Sequence, residues 1–309
     1  MKNIKNILIC GAGMMGKNIG FVFASNPDFK VGLYDLYPTD VEAGIRTNTR
    51  QLVEKGVLTE QELAARLSRI SFTSDIDSEL VKDADLVIEA VFEDMGIKRE
   101  TFAKLEARCR PDTIFCTNSS VMSPSEISAQ LKHRERFVGT HFWNPGHLIP
   151  LVEVVKSDAS SEETAQTVME VLRSVGKRPV LCKKDVPGFI ANRMQHALWR
   201  EAISIVEHGI ADAATVDEAV RCSFGLRLPQ LGPMENADMV GTDLTYNIHD
   251  YILRDLESSP EPSPLLRQLR DEGKLGFKSG EGFQSWTPDQ VAQSNAELND
   301  YLIRMLYGK

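Results

Sequence analysis

Up to about residue 183 this chain alternates short apolar runs with segments of helical period, and that alternation restricts its fold more than any other feature. Runs at Ile4–Cys10, Lys30–Tyr34, Ile70–Thr73, Leu86–Val91, Thr113–Thr117, Phe137–His141, Leu151–Val155 and Pro179–Leu181 read as strands. Three of the intervening helices open on a hydroxyl followed by a carboxylate three residues on: Thr59 with Glu62, Ser123 with Glu126, and Ser160 with Glu163. Alternation of this kind builds a mostly parallel sheet with helices on both faces. The stretch from Pro38 to Arg69 is long for one crossover, and is expected to form two helices, Thr39–Lys55 and Glu60–Leu67, as an insertion standing off the sheet.

The pattern changes at Val186-Pro187-Gly188-Phe189. Phe189–His208 has helical period, shorter helices are expected around Thr215–Cys222, Glu235–Leu256 and Pro264–Arg270, and Thr287 to Gln290 opens a last helix toward Tyr307. Between Gly273 and Phe283 four glycines force a loop. The fold class is therefore α/β: a Rossmann-like doubly wound sheet over residues 1–185, carrying the helical insertion at about 38–69, followed by an all-helical domain over 186–309.

Gly11-Ala-Gly13-Met-Met-Gly16 follows the first strand and opens a helix. In such a loop the first glycine permits the turn, the second lets backbone approach a pyrophosphate, and the third lets helix and strand pack closely. The phosphates then lie on a helix N-terminus, against Met14 and Met15. Asp35 ends the second strand, nineteen residues past Gly16, where a carboxylate bonds the adenine ribose 2′-hydroxyl and repels a 2′-phosphate. This favours NAD over NADP; FAD uses the same kind of loop.

His141 closes the run from Arg136, Asn144-Pro145 breaks it, and Glu153 lies twelve residues on inside a second apolar run. A carboxylate on a neighbouring strand that fixes an imidazole is what a general base requires. The bland alternative is a histidine capping a loop beside an exposed glutamate.

The 26% charged and 42% hydrophobic residues describe a soluble globular chain, and a net charge of −9 argues against nucleic acid as a main partner. No apolar run is long enough to span a bilayer, and the one after Met1 is too short for a signal peptide's core of roughly 7–15 residues. Five cysteines without paired spacing point to a reducing cytoplasm, with no zinc site or disulfide framework.

Together these motifs resemble the 3-hydroxyacyl-CoA dehydrogenase family: Gly11–Gly16, Asp35, Asp85–Glu93, Asn118-Ser-Ser120, His141-Phe-Trp-Asn-Pro145, Leu151-Val-Glu153 and Asp185–Arg193. The resemblance runs over nearly the whole chain. It implies an NAD-dependent oxidoreductase of fatty acid metabolism that oxidises the 3-hydroxyl of a short-chain (S)-3-hydroxyacyl-CoA. His141 would be the base, Glu153 its partner, and Ser120 and Asn192 the polar groups at the substrate oxygen and nicotinamide, with Asn118 close by. Glu93 and Lys98 match positions that contact the cofactor, and Asn48 and Lys55 match positions on the inserted helices that meet the CoA moiety. A homodimer through the helical domain is implied as well.

One stretch departs from the CoA type. Gly146-His-Leu-Ile-Pro150, with proline before Leu-Val-Glu, is similar to a sister group acting on free acids: gulonate, carnitine and a pyridine carboxylate. Arg227 is then a candidate to pair a substrate carboxylate bidentately, against the plain reading of a surface arginine at a helix end. Two substrates stay open, an acyl-CoA and a small hydroxy acid, beside a third reading as a non-catalytic NAD-binding protein. His147 is the other histidine to watch, since its loop follows His141.

Overall fold

The computed structural model of the chain describes residues 3–309. Eight strands form one sheet: β1 Asn6–Cys10, β2 Lys30–Tyr34, β3 Ile70–Thr73, β4 Leu86–Glu89, β5 Ile114–Thr117, β6 Phe137–Phe142, β7 Leu151–Lys156 and β8 Arg178–Cys182. Their order is β3-β2-β1-β4-β5-β6-β7-β8. The chain winds outward from β1 in one direction, then returns and winds in the other, so a crevice opens at the ends of β1 and β4. All pairings are parallel except β6 with β7, which a short loop joins antiparallel.

The helices are α1 Met14–Phe23, α2 Val41–Glu54, α3 Glu60–Leu67, α4 Glu79–Lys82, α5 Met95–Glu106, α6 Pro124–Ile127, α7 Glu162–Ser174, α8 Ala191–Glu207, α9 Ala213–Arg221, α10 Pro233–Val240, α11 Thr242–Ile252, α12 Pro264–Asp271 and α13 Pro288–Tyr307. Side chains alternate across the strands, and the core divides accordingly. Ile7 and Ile9 of β1 join Ile19 and Phe23 of α1 and Val168 of α7 on one face. Leu8 and Cys10 join Phe102 and Leu105 of α5 and Ile127 of α6 on the other.

The pair α2–α3 forms and stands off the sheet as expected, yet it shares the core rather than packing only on itself. Its apolar residues Val41, Ile45, Leu52 and Leu63 merge with the core on the α1 face, α2 lying against α1 rather than on the strands. Thr59 and Glu62 make a complete capping box. The cap of α7 is Ser161 rather than Ser160, whose hydroxyl turns to the carbonyl of Phe137 instead. Ser123 accepts from the Glu126 amide, but the helix it opens is only one turn long.

By packing the chain forms two compact units: residues to Arg193 together with Glu297–Lys309, and Met194–Ala296. Strands end before 186, yet the first unit keeps the next few residues, because Phe189 is buried with Val155 and Cys182 and Asn192 bonds back to Ser120. The end of α13 belongs to it because Ile303, 1% exposed, sits in the α1-face core. In the second unit the expected single helix from Glu235 is two, α10 and α11, broken at Gly241 with φ 101°. The carboxylates of Glu201 and Glu207 on α8 cap the amides of Glu257 and Leu265. The glycine-rich loop carries isolated bridges, Gly276 with Glu281 and Glu281 with Ser285, but no strand.

Candidate active site

The glycine loop lies where β1 ends in the crevice. Gly11 has φ 104°, and a Cβ on it would stand 2.6 Å from the Ala90 carbonyl beyond β4. A Cβ on Gly16 would stand 1.8 Å from the Gly11 carbonyl. Both glycines are therefore demanded by the protein's own packing. Gly13 is not: its φ is −69° and a Cβ would meet nothing within 4 Å. A glycine there is useful to something approaching from outside. No side chain caps α1, so the amides of its first turn, at Met14, Met15 and Gly16, face the same space. The Asp35 carboxylate accepts from the Ala12 amide at 2.7 Å and the Tyr37 amide at 3.1 Å, which seats it beside the loop at the end of β2. These residues fit a dinucleotide: an open glycine and free amides for the pyrophosphate, a partly exposed carboxylate for a ribose.

His141 and Glu153 stand opposite one another in the antiparallel β6–β7 register, so their side chains share a face. His141 Nδ1 lies 2.8 Å from Glu153 Oε2, and Glu153 is wholly buried. The carboxylate is filled from four directions. Trp143 Nε1–H donates to Oε2 at 3.2 Å, while the amides of Ile190 and Ala191 donate to Oε1 at 2.9 and 3.0 Å. Burial alone would raise the Glu153 carboxyl, but the bonds from His141, Ala191, Ile190 and Trp143 bring it below the ordinary range. It is a fixed anion. A carboxylate at this oxygen holds the Nδ1 proton in place and leaves Nε2 as the nitrogen able to exchange one. The two amides reach Oε1 because Gly188 and Phe189 both take left-handed conformations, φ 76° and 52°, just before α8. For a phenylalanine this is strained. Its ring is buried against the His141 imidazole, centroids 5.8 Å apart.

Beside this pair the ends of β4 and β5 carry a second cluster. Asn118 Oδ1 accepts from the Phe142 amide at 2.9 Å, tying β5 to the strand that bears His141. Glu93 accepts from the Ser119 hydroxyl and the Ser120 amide. The Ser120 hydroxyl is exposed and has no partner among the described residues. Asn192 Nδ2 donates to the Ser120 carbonyl at 3.0 Å, so residues expected together are brought together. Lys98 lies deeper than its expected role suggests. It is 1% exposed, and its ammonium sits 2.7 Å from Glu89 and 3.1 Å from Glu93. The outward group of this trio is Glu93.

Glu89 lies inside the apolar run Leu86–Val91, where nothing in the sequence marks a carboxylate as buried. It is wholly buried, and it also takes bonds from Thr117 and the Val91 amide. Burial pushes its carboxyl above the ordinary range, with Lys98 pulling against it. Trp143 and residues 190–191 stand within the sequence motifs, but nothing in the sequence marks them as donors to Glu153.

Two of the remaining candidates are engaged elsewhere. Asn48 donates to Asn18 of α1 at 2.7 Å, and Lys55 is paired with Asp300 of α13 at 3.0 Å. Arg227 is exposed in the second unit, after a short 3-10 turn. Burial and the charge of Lys177 lower His147 to about 4, which makes it a poor proton acceptor. Lys177 itself donates to the carbonyls of Gly146 and Ile149, both at 2.7 Å, and so closes the loop between β6 and β7. Burial pushes the Cys109 thiol up to about 12 and those of Cys10 and Cys116 higher, against any nucleophilic role. Among the described residues no group of three metal-ligating side chains occurs, and no helix is long and apolar enough to cross a membrane.

The family model described as 3-hydroxyacyl-CoA dehydrogenase, NAD binding domain, matches residues 6–186. That described as the C-terminal domain of the same enzymes matches residues 188–286. A probable 3-hydroxybutyryl-CoA dehydrogenase of Bacillus subtilis is 38% identical over 287 residues, covering 92% of this chain and 98% of its own. The 5-formyl-3-hydroxy-2-methylpyridine 4-carboxylate 5-dehydrogenase of Mesorhizobium japonicum is 34% identical over 312 residues, covering 99% of each. A solved structure of an enzyme with this pyridine substrate, described as an NAD+ dependent dismutase, is 33% identical. It aligns over 99% of this chain and 100% of that one with a TM-score of 0.90. The (S)-3-hydroxybutyryl-CoA dehydrogenase of Ralstonia eutropha, 29% identical, aligns over 92% and 100% with a TM-score of 0.77.

Proposed function

The chain belongs to the 3-hydroxyacyl-CoA dehydrogenase family, and on that premise we propose that it oxidises the hydroxyl of a small free acid rather than that of a CoA thioester. It is an NAD-dependent oxidoreductase. Bound NAD supplies the hydride acceptor. His141 takes the hydroxyl proton on Nε2 while the adjacent C–H gives up its hydride. Glu153, held as an anion, stabilises the imidazolium that results. The free Ser120 hydroxyl bonds the substrate oxygen, and Asn192 fixes the Ser120 main chain through its carbonyl.

One observation carries the choice of substrate. The side chains that the family resemblance assigns to the CoA moiety are already occupied. Lys55 is paired with Asp300 from the returning end of α13, and Asn48 is bonded to Asn18. A CoA phosphate would have to displace a carboxylate from the lysine meant to receive it. Helix α13, which supplies Asp300, lies beyond both matched family domains. Oxidation of a 3-hydroxyacyl-CoA is the second reading, supported by the 38% identity to a probable 3-hydroxybutyryl-CoA dehydrogenase. A cofactor-binding protein without activity is disfavoured by the intact His141–Glu153 pair.

The test is a substrate panel read at the nicotinamide absorbance. NAD reduction by gulonate, carnitine and hydroxymethyl or formyl pyridine carboxylates is set beside NADH oxidation by acetoacetyl-CoA. The expected result is turnover of a free acid, with acetoacetyl-CoA slower by at least about 10-fold in kcat/KM. Preference for the thioester would overturn the proposal. In His141→Ala, activity with the preferred substrate is expected to fall by about 10²–10⁴-fold while NADH binding is retained.

A further inference from the structure

Glu153 Oε2 is shared between two donors, and only one of them is the base. Trp143 lies two residues beyond His141, where β6 has just ended. Its indole ring stands against the imidazole, centroids 5.2 Å apart and planes tilted by 51°. An indole has a single N–H. In a half-exposed tryptophan at a strand end, that N–H would be satisfied by water at no cost. Here it points inward to a fully buried carboxylate, and to the oxygen that His141 uses.

A carboxylate oxygen has two lone-pair directions. At Oε1 the Ile190 and Ala191 amides fill both, and at Oε2 His141 and Trp143 do. No direction remains on which Glu153 could take a proton. We infer that Trp143 is a positioning residue for the base: its indole N–H occupies the second lone pair of Oε2, so the proton on His141 Nδ1 stays there and exchange is confined to Nε2. This rests on the assignment of His141 as general base.

Removing that N–H leaves Oε2 with a free lone pair and more negative charge directed at the imidazole. The imidazolium is then stabilised, and the unprotonated base is lost at a higher pH than in the parent. The neighbouring titratable group on β8, Cys182, does not confuse the reading. Burial raises its thiol and the charge of Glu153 adds to this, so it stays protonated over the acid limb.

The experiment compares Trp143→Phe, which keeps a ring and removes the donor, with Trp143→Gln, which keeps an N–H and removes the ring. The pH dependence of kcat/KM is measured for each, with Tm recorded as a check on folding. For Trp143→Phe the acid limb is expected to move to higher pH, with kcat at neutral pH lower by about 3- to 10-fold and KM for substrate unchanged. Trp143→Gln is expected to bring the limb back toward that of the parent. A parental limb in Trp143→Phe, or equal displacement in both variants, overturns the inference and leaves the role of His141 intact. Full turnover by His141→Asn, measured alongside, overturns the base assignment and the inference with it.

Discussion

At the scale of single residues, the three glycines of the first loop look alike in sequence and differ in physical demand. Gly16 cannot carry a Cβ without striking the Gly11 carbonyl at 1.8 Å, a collision of backbone with backbone that no rotamer relieves. Gly13 has room for one and an ordinary φ. The two alanine variants should therefore separate folding from binding. Gly16→Ala is expected to cost about 3 kcal/mol or more and to lower Tm by many degrees. Gly13→Ala should stay within about 0.5 kcal/mol of the parent, since it is a substitution into open space. Its NADH affinity should nevertheless fall by about 10-fold or more, because the methyl occupies the approach of the pyrophosphate. Thermal melts and a fluorescence titration with NADH check both. A Gly13→Ala protein that binds NADH normally would mean the pyrophosphate does not pass this residue.

At the scale of elements, what could be read from sequence was what local periodicity encodes. Strand ends were legible to within two residues because β-branched and apolar runs give way to glycine, polar or charged residues within a residue or two of each end. His141 and Glu153 were legible as partners because a short loop between two strands enforces an antiparallel register. Contacts made over long separations left no such mark. Glu89 reads as one polar residue inside an apolar run but is a buried anchor for Lys98, which pulls a residue expected at the cofactor into the interior. Nothing in the period of α13 announces that its second half returns to the first unit, where Ile303 fills the core beside α2 and α3. That return has measurable consequences. Ile303→Ala should cost about 2–4 kcal/mol in urea unfolding of the first unit, as a fully buried isoleucine does. Asp300→Ala removes a half-exposed ion pair worth less than about 1 kcal/mol, so stability barely changes. It does release the Lys55 ammonium. If that pair is what bars the thioester, KM for acetoacetyl-CoA falls by about 2- to 5-fold while KM for the free acid is unchanged. An unaltered KM for acetoacetyl-CoA would remove Lys55 from the account of specificity.

At the scale of the whole molecule, the two units are buried very unequally. The sheet unit has a continuous core on each face. In the second unit none of α9, α10, α11 or α12 contains a fully buried residue. Large apolar side chains on these helices and their connections are open instead: Tyr251 is 88% exposed, Met234 74%, Leu226 71% and Tyr246 70%. Amphipathic helices whose apolar faces find no cover within their own chain mark a surface that another protein covers, and the simplest occupant is a second copy. We propose that the homodimer implied by the family resemblance covers this surface. We expect sedimentation velocity at micromolar concentration to give a dimer mass. Tyr251→Asp combined with Tyr246→Asp should shift it to monomer, since a carboxylate buried in an apolar interface without a partner costs several kcal/mol. The substitutions lie in the second unit, so NADH binding by the first should persist in the monomer. A parent protein that sediments as a monomer at these concentrations would leave the exposed face to a different partner and refute the dimer.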